Sequence, residues 1–289
     1  MNLVIIGNCQ ARPLKDIINQ INQQVTVIDT PIVHLLKAHE KDEVYATLDS
    51  ADHIVTQLIA DTYPCDYIRT NTLKTAFPNK VTTILNLYYA GYTPDWTYVR
   101  IPQLGTLQGP MGDYHNTTII ESWLKALTTT QTASLLFDER YNQEKYAGIA
   151  STSLIELNKR EGLVDIGIVD FISEQMSKQR LFFTFNHPCY CLLQEYATRI
   201  LRRMGVKEAD IKPVEDAKEP LDPFIPPLNP GMDFNFPIEN TFKGKCVEGI
   251  HNNGVTLGAT KFYSAEELVD TFYEIYTQNA SSIKAKYAS

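Results

Sequence analysis

The 289-residue sequence has little cysteine, no long apolar run and an excess of acidic over basic side chains. Its five cysteines are odd in number and irregularly spaced, which is not typical of a disulfide framework. No stretch approaches the roughly 20 apolar residues that a membrane-spanning helix needs, and the first residues lack the pattern of a signal peptide. The formal net charge of −8 argues against nucleic-acid binding, which requires a basic surface. We therefore expect a cytoplasmic protein with reduced thiols and no integral membrane segment.

Motifs for nucleotides and metals are also missing. The sequence contains neither the Gly-x-Gly-x-x-Gly loop of dinucleotide-binding folds nor the Gly-x4-Gly-Lys-Ser/Thr phosphate loop. His187, Cys189 and Cys191 are spaced too tightly for a structural zinc site, and no second Cys-x-x-Cys pair completes four ligands. The sequence thus predicts no metal centre.

Short apolar segments alternate with helical patterns in the first third of the chain. Residues 2–6, 25–29, 53–57 and 81–87 have the length and composition of strands. Between the first two, Leu14, Ile17, Ile18 and Ile21 recur at spacings of three and four, which predicts a helix with one buried face. Residues 32–48 are expected to be mostly helical. This alternation predicts an α/β fold with a parallel, Rossmann-like or SGNH-like sheet.

The rest of the chain is expected to be largely helical. Helical patterning dominates residues 118–178, a strand is predicted at 180–185, and a further helix runs to about residue 204. The proline-rich segment 212–237 is predicted to be extended, and Phe224, Ile225 and Phe234 suggest that it packs on the body. Ser264 and Glu267 have the spacing of a capping box. We predict a single domain over residues 1–289, with a core at 1–205 and with 206–289 packed on it.

One cysteine lies at a corner where a ligand is expected. Cys9 follows the first strand and precedes the first helix, and Gly7 permits the sharp turn between them. Ligands of parallel α/β sheets bind beyond the carboxyl ends of the strands, and a helix amino terminus can lower a thiol pKa. Asn8 and Gln10 could then donate amide hydrogen bonds to an oxyanion. The alternative is that Cys9 is buried filler, as free cysteines commonly are.

A nucleophilic cysteine needs a base, and two of the six histidines are candidates. His187 follows an apolar segment and precedes a proline, so it is expected at the carboxyl end of a strand, near Cys9. His115 has an acidic residue, Asp113, two positions before it. His187 is the better placed of the two by pattern, and His115 is the second candidate.

Four segments, taken in order, resemble the WcbI family of polysaccharide-biosynthesis proteins. They are Ile5-Ile-Gly-Asn-Cys-Gln-Ala11, Asn86-Leu-Tyr-Tyr-Ala-Gly-Tyr-Thr-Pro-Asp95, Gly112-Asp-Tyr-His115 and Phe185-Asn-His-Pro188. The resemblance extends from residue 1 to about 205. One position departs from it, because Thr93 stands where the family is expected to have a histidine.

The resemblance implies a coenzyme A-dependent O-acyltransferase, with acetyl as the expected acyl group, acting on a capsular or exopolysaccharide or its sugar precursor. It makes Cys9, His187 and His115 the candidate catalytic residues, either through an acyl group carried on Cys9 or through a histidine base for direct transfer. Two other functions stay open: a Cys-His thioesterase or carbohydrate esterase, and a non-catalytic sugar- or nucleotide-binding accessory protein. The residues proposed to hold the coenzyme are Asn8, Gln10, Arg12, Arg69, Lys74 and Arg100.

Overall fold

The computed structural model describes residues 1–102, 105–215, 217–232, 236, 240–251 and 254–287. The chain divides into two compact units that each draw on several separate segments. Unit 1 contains Met1–Tyr88, Ile155–Met176 and His187–Leu221, and unit 2 contains Tyr89–Leu154, Ser177–Asn186 and Asp222–Ser289. The single-domain organisation stays a prediction, and Phe234 lies outside the described residues.

The structure combines strands and helices as the α/β prediction requires. The described strands are β1 (Asn2–Ile6), β2 (Thr26–Asp29), β3 (His53–Gln57), β4 (Val81–Ile84), β5 (Trp96–Tyr98), β6 (Arg100–Ile101), β7 (Gly105–Thr106), β8 (Tyr114–Asn116), β9 (Phe182–Thr184), β10 (His187–Pro188), β11 (Phe242–His251) and β12 (Gly254–Tyr263). The described α-helices are α1 (Ala11–Ile21), α2 (Lys41–Ser50), α3 (Thr70–Ala76), α4 (Thr117–Leu124), α5 (Thr129–Leu136), α6 (Glu139–Tyr146), α7 (Ile149–Glu161), α8 (Val169–Gln175), α9 (Tyr190–Arg203), α10 (Ala265–Gln278) and α11 (Ala280–Tyr287).

Unit 1 is built on a four-stranded parallel sheet with the strand order β2-β1-β3-β4. The central strand β1 is fully buried from Leu3 to Ile6, as its continuous apolar run predicts. Helix α1 buries the predicted stripe against the unit and carries Pro13 in its first turn, where the missing N–H is tolerated. The parallel sheet that the alternating pattern predicts is confirmed.

The segment after β2 differs from the helix that was predicted over residues 32–48. Two short 3-10 turns, Val33–Leu35 and Ala38–Glu40, come before α2, which begins at Lys41. The start of this segment instead continues beside β1, because Ile32 forms a parallel bridge with Gly7. The bridge is closed by Gly7 N–H donating to Pro31 O at 3.2 Å and Val33 N–H donating to Gly7 O at 2.9 Å. These non-local hydrogen bonds outweigh the local helical preference.

Unit 2 has its own apolar core, in which α10 is the central element. Leu268, Phe272 and Ile275 are fully buried, and the predicted capping box is present, with Ser264 Oγ accepting from Glu267 N–H. The antiparallel hairpin of β11 and β12 was not predicted. Only four of its twenty residues are buried, and neither strand contains the apolar run by which a buried strand is recognised. Among the described residues, no helix has both the length and the apolar character needed to cross a membrane.

Candidate functional site

The turn between β1 and α1 is held close to the neighbouring strand β3. Asn8 N–H donates to Gln57 Oε1 at 2.8 Å, and a Cβ at position 7 would lie 3.0 Å from the same oxygen. A side chain at position 7 would therefore require the Gln57 amide to shift by a few tenths of an ångström. Gly7 thus favours the close approach of Gln57 to the Asn8 backbone.

Side-chain amides next to Cys9 hydrogen-bond to one another across the carboxyl edge of the sheet. Asn8 Nδ2 donates to Asn86 Oδ1 at 2.9 Å, and Gln10 Nε2 donates to Leu87 O at 2.8 Å. Gln10 Oε1 accepts from Gln57 Nε2 at 2.9 Å and from Leu87 N–H at 3.2 Å. Gln10 is only 1% exposed. The expectation that Gln10 donates to a ligand is therefore wrong for this structure: its amide joins the turn after β1 to the end of β3 and to the segment that follows β4.

Cys9 opens onto a cavity in unit 1. The cavity has a volume of about 380 Å³. Its apolar walls come from Pro13, Ile32, Leu35, Pro220 and Leu221, and its polar side chains from Cys9, Arg12, Asp16 and His34. A thiol, a guanidinium and an imidazole thus share one opening at the carboxyl edge of the parallel sheet, where ligands of such folds bind.

His34 is the histidine that the structure brings to this cavity, and the sequence analysis did not select it. Gly7 and Ile32 are paired in a parallel bridge, and Cys9 and His34 each follow two residues later. Cys9 lies in the turn before α1 and His34 lies in the short 3-10 turn Val33–Leu35, so this bridge brings both turns to the same edge of the sheet. The signal was hidden because residues 32–48 were expected to be mostly helical, whereas Ile32 pairs with Gly7.

The thiol of Cys9 is not electrostatically activated. Burial raises its pKa above the ordinary value, and the hydrogen bond with its own backbone N–H opposes this only in part. The predicted lowering of the Cys9 pKa is therefore wrong, because loss of solvation outweighs the helix amino terminus here. A Cys9 nucleophile would need a base to take its proton.

His187 lies behind the wall of the cavity, not on its surface. It hydrogen-bonds with the backbone of Leu221, a residue that lines the cavity. Burial lowers the pKa of His187 to about 4, so it is a weak proton acceptor near neutral pH. His187 is thus in the same unit as Cys9, as predicted, but it is not among the residues that line the cavity with Cys9.

His115 belongs to the interior of unit 2, and its predicted catalytic role is not supported. It is 0% exposed and stacks on Tyr276. Its Nε2 lies 2.9 Å from Leu107 O and its Nδ1 lies 2.9 Å from the Tyr276 hydroxyl. Because a carbonyl oxygen can only accept, Nε2 carries the proton and Nδ1 accepts from Tyr276. Both ring nitrogens of His115 therefore form hydrogen bonds inside unit 2.

Of the four predicted cations, Arg12 lines the Cys9 cavity and the other three do not. In unit 1, Arg69 donates from Nε to Tyr63 O at 2.7 Å, and Lys74 lies 3.7 Å from a carboxylate oxygen of Asp165. In unit 2, Arg100 lies over the ring of Tyr98. Arg12 is exposed in the first turn of α1, where the helix dipole adds to its attraction for an anion.

Cys191, one of the three residues spaced too tightly for a zinc site, is not activated either. All five cysteines lie in the described residues, and none forms a disulfide bond. Burial, with the nearby Glu219 carboxylate, raises the pKa of Cys191 to about 11. Within the described ranges, no group of three or more His, Cys, Asp and Glu side chains could hold a metal ion.

Comparison with known proteins agrees with the resemblance seen in the sequence. The family described as "Polysaccharide biosynthesis enzyme WcbI" matches residues 2–209. The chain belongs to the WcbI family. It is also similar to a solved structure of WcbI, with a TM-score of 0.75, 20% identity, and coverage of 100% of this chain and 95% of the other. No curated protein matches the chain.

The similar structure is described as a novel polysaccharide biosynthesis enzyme, in its native form without a disulfide bond between coenzyme A and a cysteine. At this level of identity the similarity shows the fold. Membership of the WcbI family identifies the chain as a polysaccharide biosynthesis enzyme. The departure at Thr93 lies in the interior of unit 2, where its side chain is fully buried and its hydroxyl has no hydrogen-bond partner in the described part of the chain. Thr93 is not among the residues that line the Cys9 cavity.

Proposed function

We propose that this WcbI-family enzyme is a coenzyme A-dependent O-acyltransferase that acetylates a hydroxyl of a capsular or exopolysaccharide or of its sugar precursor. The observation that carries the proposal is the shared cavity of Cys9, Arg12 and His34 at the carboxyl edge of the parallel sheet. None of the five cysteines forms a disulfide bond, which is consistent with the reducing cytoplasm, where we place the reaction.

The cavity suits the thiol end of coenzyme A. Its apolar walls match the uncharged pantetheine arm, and Cys9 at the edge of the sheet can meet a thioester or a thiol. Arg12 and His34 can bind a phosphate oxygen, whereas the carboxylate of Asp16 repels it, so the phosphates would lie away from Asp16. The similar structure is described by reference to a disulfide bond between coenzyme A and a cysteine, and this supports placing the coenzyme thiol near Cys9.

Coenzyme A would supply the acetyl group as a thioester, and the residues of this chain would activate and orient the reacting groups. In the covalent route, His34 takes the Cys9 proton while Cys9 Sγ bonds to the acyl carbon and the carbon–sulfur bond of the donor breaks. The proton returns from His34 to the leaving sulfur. In the second step, His34 takes the proton of the sugar hydroxyl, whose oxygen displaces Cys9 Sγ, and the proton ends on the thiol.

A direct route uses the same base without a bond to Cys9. His34 then takes the proton of the sugar hydroxyl as its oxygen attacks the donor carbonyl, and Cys9 shapes the cavity. His187 supports the cavity wall through Leu221 in either route. The covalent route is favoured by the position of Cys9 between the apolar cavity and the polar amides of Asn8 and Asn86.

A thermal-shift titration with coenzyme A, acetyl-coenzyme A and ADP tests the function. At about 100 times its dissociation constant a ligand adds roughly 2.7 kcal/mol to the unfolding free energy, which raises the melting temperature by several degrees. The first two ligands should shift the melting temperature, and ADP should not. Arg12→Ala should raise the coenzyme A concentration needed for the same shift about tenfold. Lys15→Ala, which removes the same charge from the same helix, should leave that concentration unchanged.

Activity then separates the routes and the rival functions. Cys9→Ser should keep coenzyme binding and lose more than about 1,000-fold in acetyl transfer if the covalent route operates, since a hydroxyl is a far poorer nucleophile. Retention of most activity would leave the direct route. Absence of any shift together with release of acetate from a model ester would replace the transferase by a hydrolase. Absence of both binding and turnover would indicate an accessory binding protein.

A further inference from the structure

A half-buried arginine is held at the same sheet edge by backbone carbonyls. Arg160 lies in the last turn of α7, and its Nη1 donates to Asn86 O at 3.1 Å. Longer hydrogen bonds join Nη2 to Tyr88 O at 3.5 Å and Nε to Glu156 O at 3.4 Å. These three acceptors fix the plane of the guanidinium over the segment that follows β4. A guanidinium has five N–H groups, so two remain for another acceptor.

No carboxylate in the described part of the chain forms an ion pair with Arg160. Arg199 of the same unit offers a contrast, since it pairs with Asp170 at 2.6 Å and with Glu195 at 2.7 Å. The Glu156 carboxylate, one turn earlier on α7, acts on Arg160 only through its field, while burial lowers the Arg160 pKa. A partly desolvated cation without an anionic partner costs free energy, and that cost is typical of a position where a ligand supplies the anion.

The neighbours of Arg160 connect it to the candidate site. Asn86, whose carbonyl accepts from Arg160, also accepts a side-chain hydrogen bond from Asn8, the residue before Cys9. The side chain of Tyr88 is 41% exposed at the same edge, and the nearby Arg160 charge acts on its hydroxyl. An exposed aromatic ring beside a fixed cation suits a saccharide ring that carries an anionic group.

The strand order separates this arginine from the Cys9 cavity. Residues Ile32–Leu35 follow β2, Cys9 follows β1, and Asn86–Tyr88 follow β4, in a sheet with the order β2-β1-β3-β4. The cavity and Arg160 therefore lie on opposite sides of Cys9 along the carboxyl edge. Two strand spacings of about 4.8 Å put the Arg160 side about 10 Å from the end of β1. That is about the reach of one sugar with a charged substituent.

We propose that Arg160 and Tyr88 form the acceptor subsite, and that the acceptor saccharide carries a phosphate or a carboxylate bound by Arg160. The role of this saccharide as acyl acceptor rests on the proposed acyl transfer, but binding of an anionic saccharide at this edge does not depend on it. The fork of Arg160 would bind two anion oxygens, and the ring of Tyr88 would lie under the sugar. The hydroxyl to be acetylated would then point towards Cys9.

Saturation-transfer NMR titrations with glucose 1-phosphate, glucuronate and glucose test this subsite in the absence of coenzyme A. At least one of the two anionic sugars should bind the wild-type protein, and neutral glucose should bind at least about tenfold more weakly. Which of the two anionic sugars binds then shows whether the site takes a phosphate or a carboxylate. Affinity for it should also fall as salt is raised, because the contact is partly exposed to solvent.

Variants then locate the site. Arg160→Gln should weaken binding of the anionic sugar about tenfold or more, Arg160→Lys should weaken it less, and Lys159→Gln, the same charge change on the adjacent exposed residue, should leave it unchanged. Tyr88→Leu should weaken sugar binding, whereas Tyr88→Phe, which keeps the ring, should not. Coenzyme A affinity should be the same in Arg160→Gln as in wild type.

Three results would overturn the acceptor subsite. These are no binding of either anionic sugar to the wild-type protein, equal binding in the wild type, Arg160→Gln and Arg160→Lys proteins, or loss of coenzyme A affinity in Arg160→Gln. The last would assign Arg160 to the coenzyme phosphates. A wild-type protein that binds an anionic sugar but neither form of the coenzyme would refute the acyl transfer and leave the anionic-sugar site standing, so the two failures are distinguishable.

Discussion

The carboxyl edge of the unit 1 sheet and the interior of unit 2 both collect polar side chains, but they use them differently. At the edge, amide hydrogen bonds bring Asn8, Gln10 and Gln57 together beside a cavity, and Cys9, Arg12 and His34 line that cavity. In unit 2, His115 and Asp95 are buried in the interior, with exposed fractions of 0% and 7%. The same residue types that indicate catalysis at a sheet edge indicate packing in an interior, so position in the fold must decide between the two.

Truncation of a side chain should lower stability in the interior of unit 2 and should lower activity at the sheet edge. His115→Ala should give the largest loss of stability. The change deletes a buried ring, empties its space and leaves Tyr276 and Leu107 without their hydrogen-bond partner. We expect the unfolding free energy of unit 2 to fall by about 3–5 kcal/mol. Urea unfolding followed by tryptophan fluorescence measures it, because both tryptophans, Trp96 and Trp123, lie in unit 2.

The matched variant at the edge is His34→Ala. His34 is exposed, so its truncation should change stability by less than about 0.5 kcal/mol, measured by loss of far-ultraviolet circular dichroism, while it lowers acetyl transfer. The comparison fails if His115→Ala stays within about 1 kcal/mol of wild type, or if His34→Ala is the more destabilising of the two.

The pH dependence of unit 2 should expose two buried groups that oppose each other. Burial lowers the His115 pKa to about 4, so its contribution to stability is present above pH 6.5 and is lost as the pH falls towards 4. Burial raises the Asp95 pKa from 3.8 to about 6, so its contribution is present below pH 4 and is lost as the pH rises through 6. Each shift corresponds to at most about 3 kcal/mol, and in the wild type they nearly cancel.

Single variants should separate the two groups. Asp95→Asn leaves His115 unopposed, so unit 2 should lose up to about 3 kcal/mol between pH 6.5 and pH 4. His115→Gln leaves Asp95 unopposed, so the slope should reverse and stability should rise as the pH falls. Tryptophan-monitored urea titrations at a series of pH values measure both slopes. Identical profiles for wild type and Asp95→Asn would show that Asp95 does not hold a raised pKa.

The sequence predicts the scaffold of unit 1 better than its site. The apolar run of β1, the stripe on α1 and the turn at Gly7 are local signals, and each is confirmed. The contacts between those elements are not local signals. Ile32 pairs with Gly7 through hydrogen bonds that no residue pattern near His34 predicts. His34 was therefore passed over in favour of His187 and His115, which have the residue context of catalytic histidines.

The electrostatics of Cys9 could not be inferred from its neighbours either. A helix amino terminus lowers a thiol pKa in general, but the net shift depends on how much solvent the fold removes. The residues around Gln10 also do not predict that it is buried or that its amide contacts both Gln57 and Leu87. Burial and partner identity are properties of the assembled sheet edge, because they depend on segments far apart in the chain.

Gln10→Ala should have the smallest effect on stability of the changes to buried residues, and it tests whether the amide hydrogen bonds serve the cavity. The change leaves Leu87 O, Leu87 N–H and Gln57 Nε2 without one partner each, which would cost several kcal/mol in a dry core. Because the cavity is adjacent, water can replace part of the amide, so we expect a loss of about 2 kcal/mol. The larger consequence should be at Cys9, whose turn would lose the hydrogen bonds of Gln10 to the end of β3 and to the segment after β4. Alkylation of Cys9 by iodoacetamide, followed from pH 7 to pH 10 by mass spectrometry, should become faster than in wild type as solvent reaches the thiol and its raised pKa relaxes towards the ordinary value. An unchanged alkylation profile, together with a loss of stability as large as that of His115→Ala, would place Gln10 in an ordinary core and remove the distinction between edge and interior.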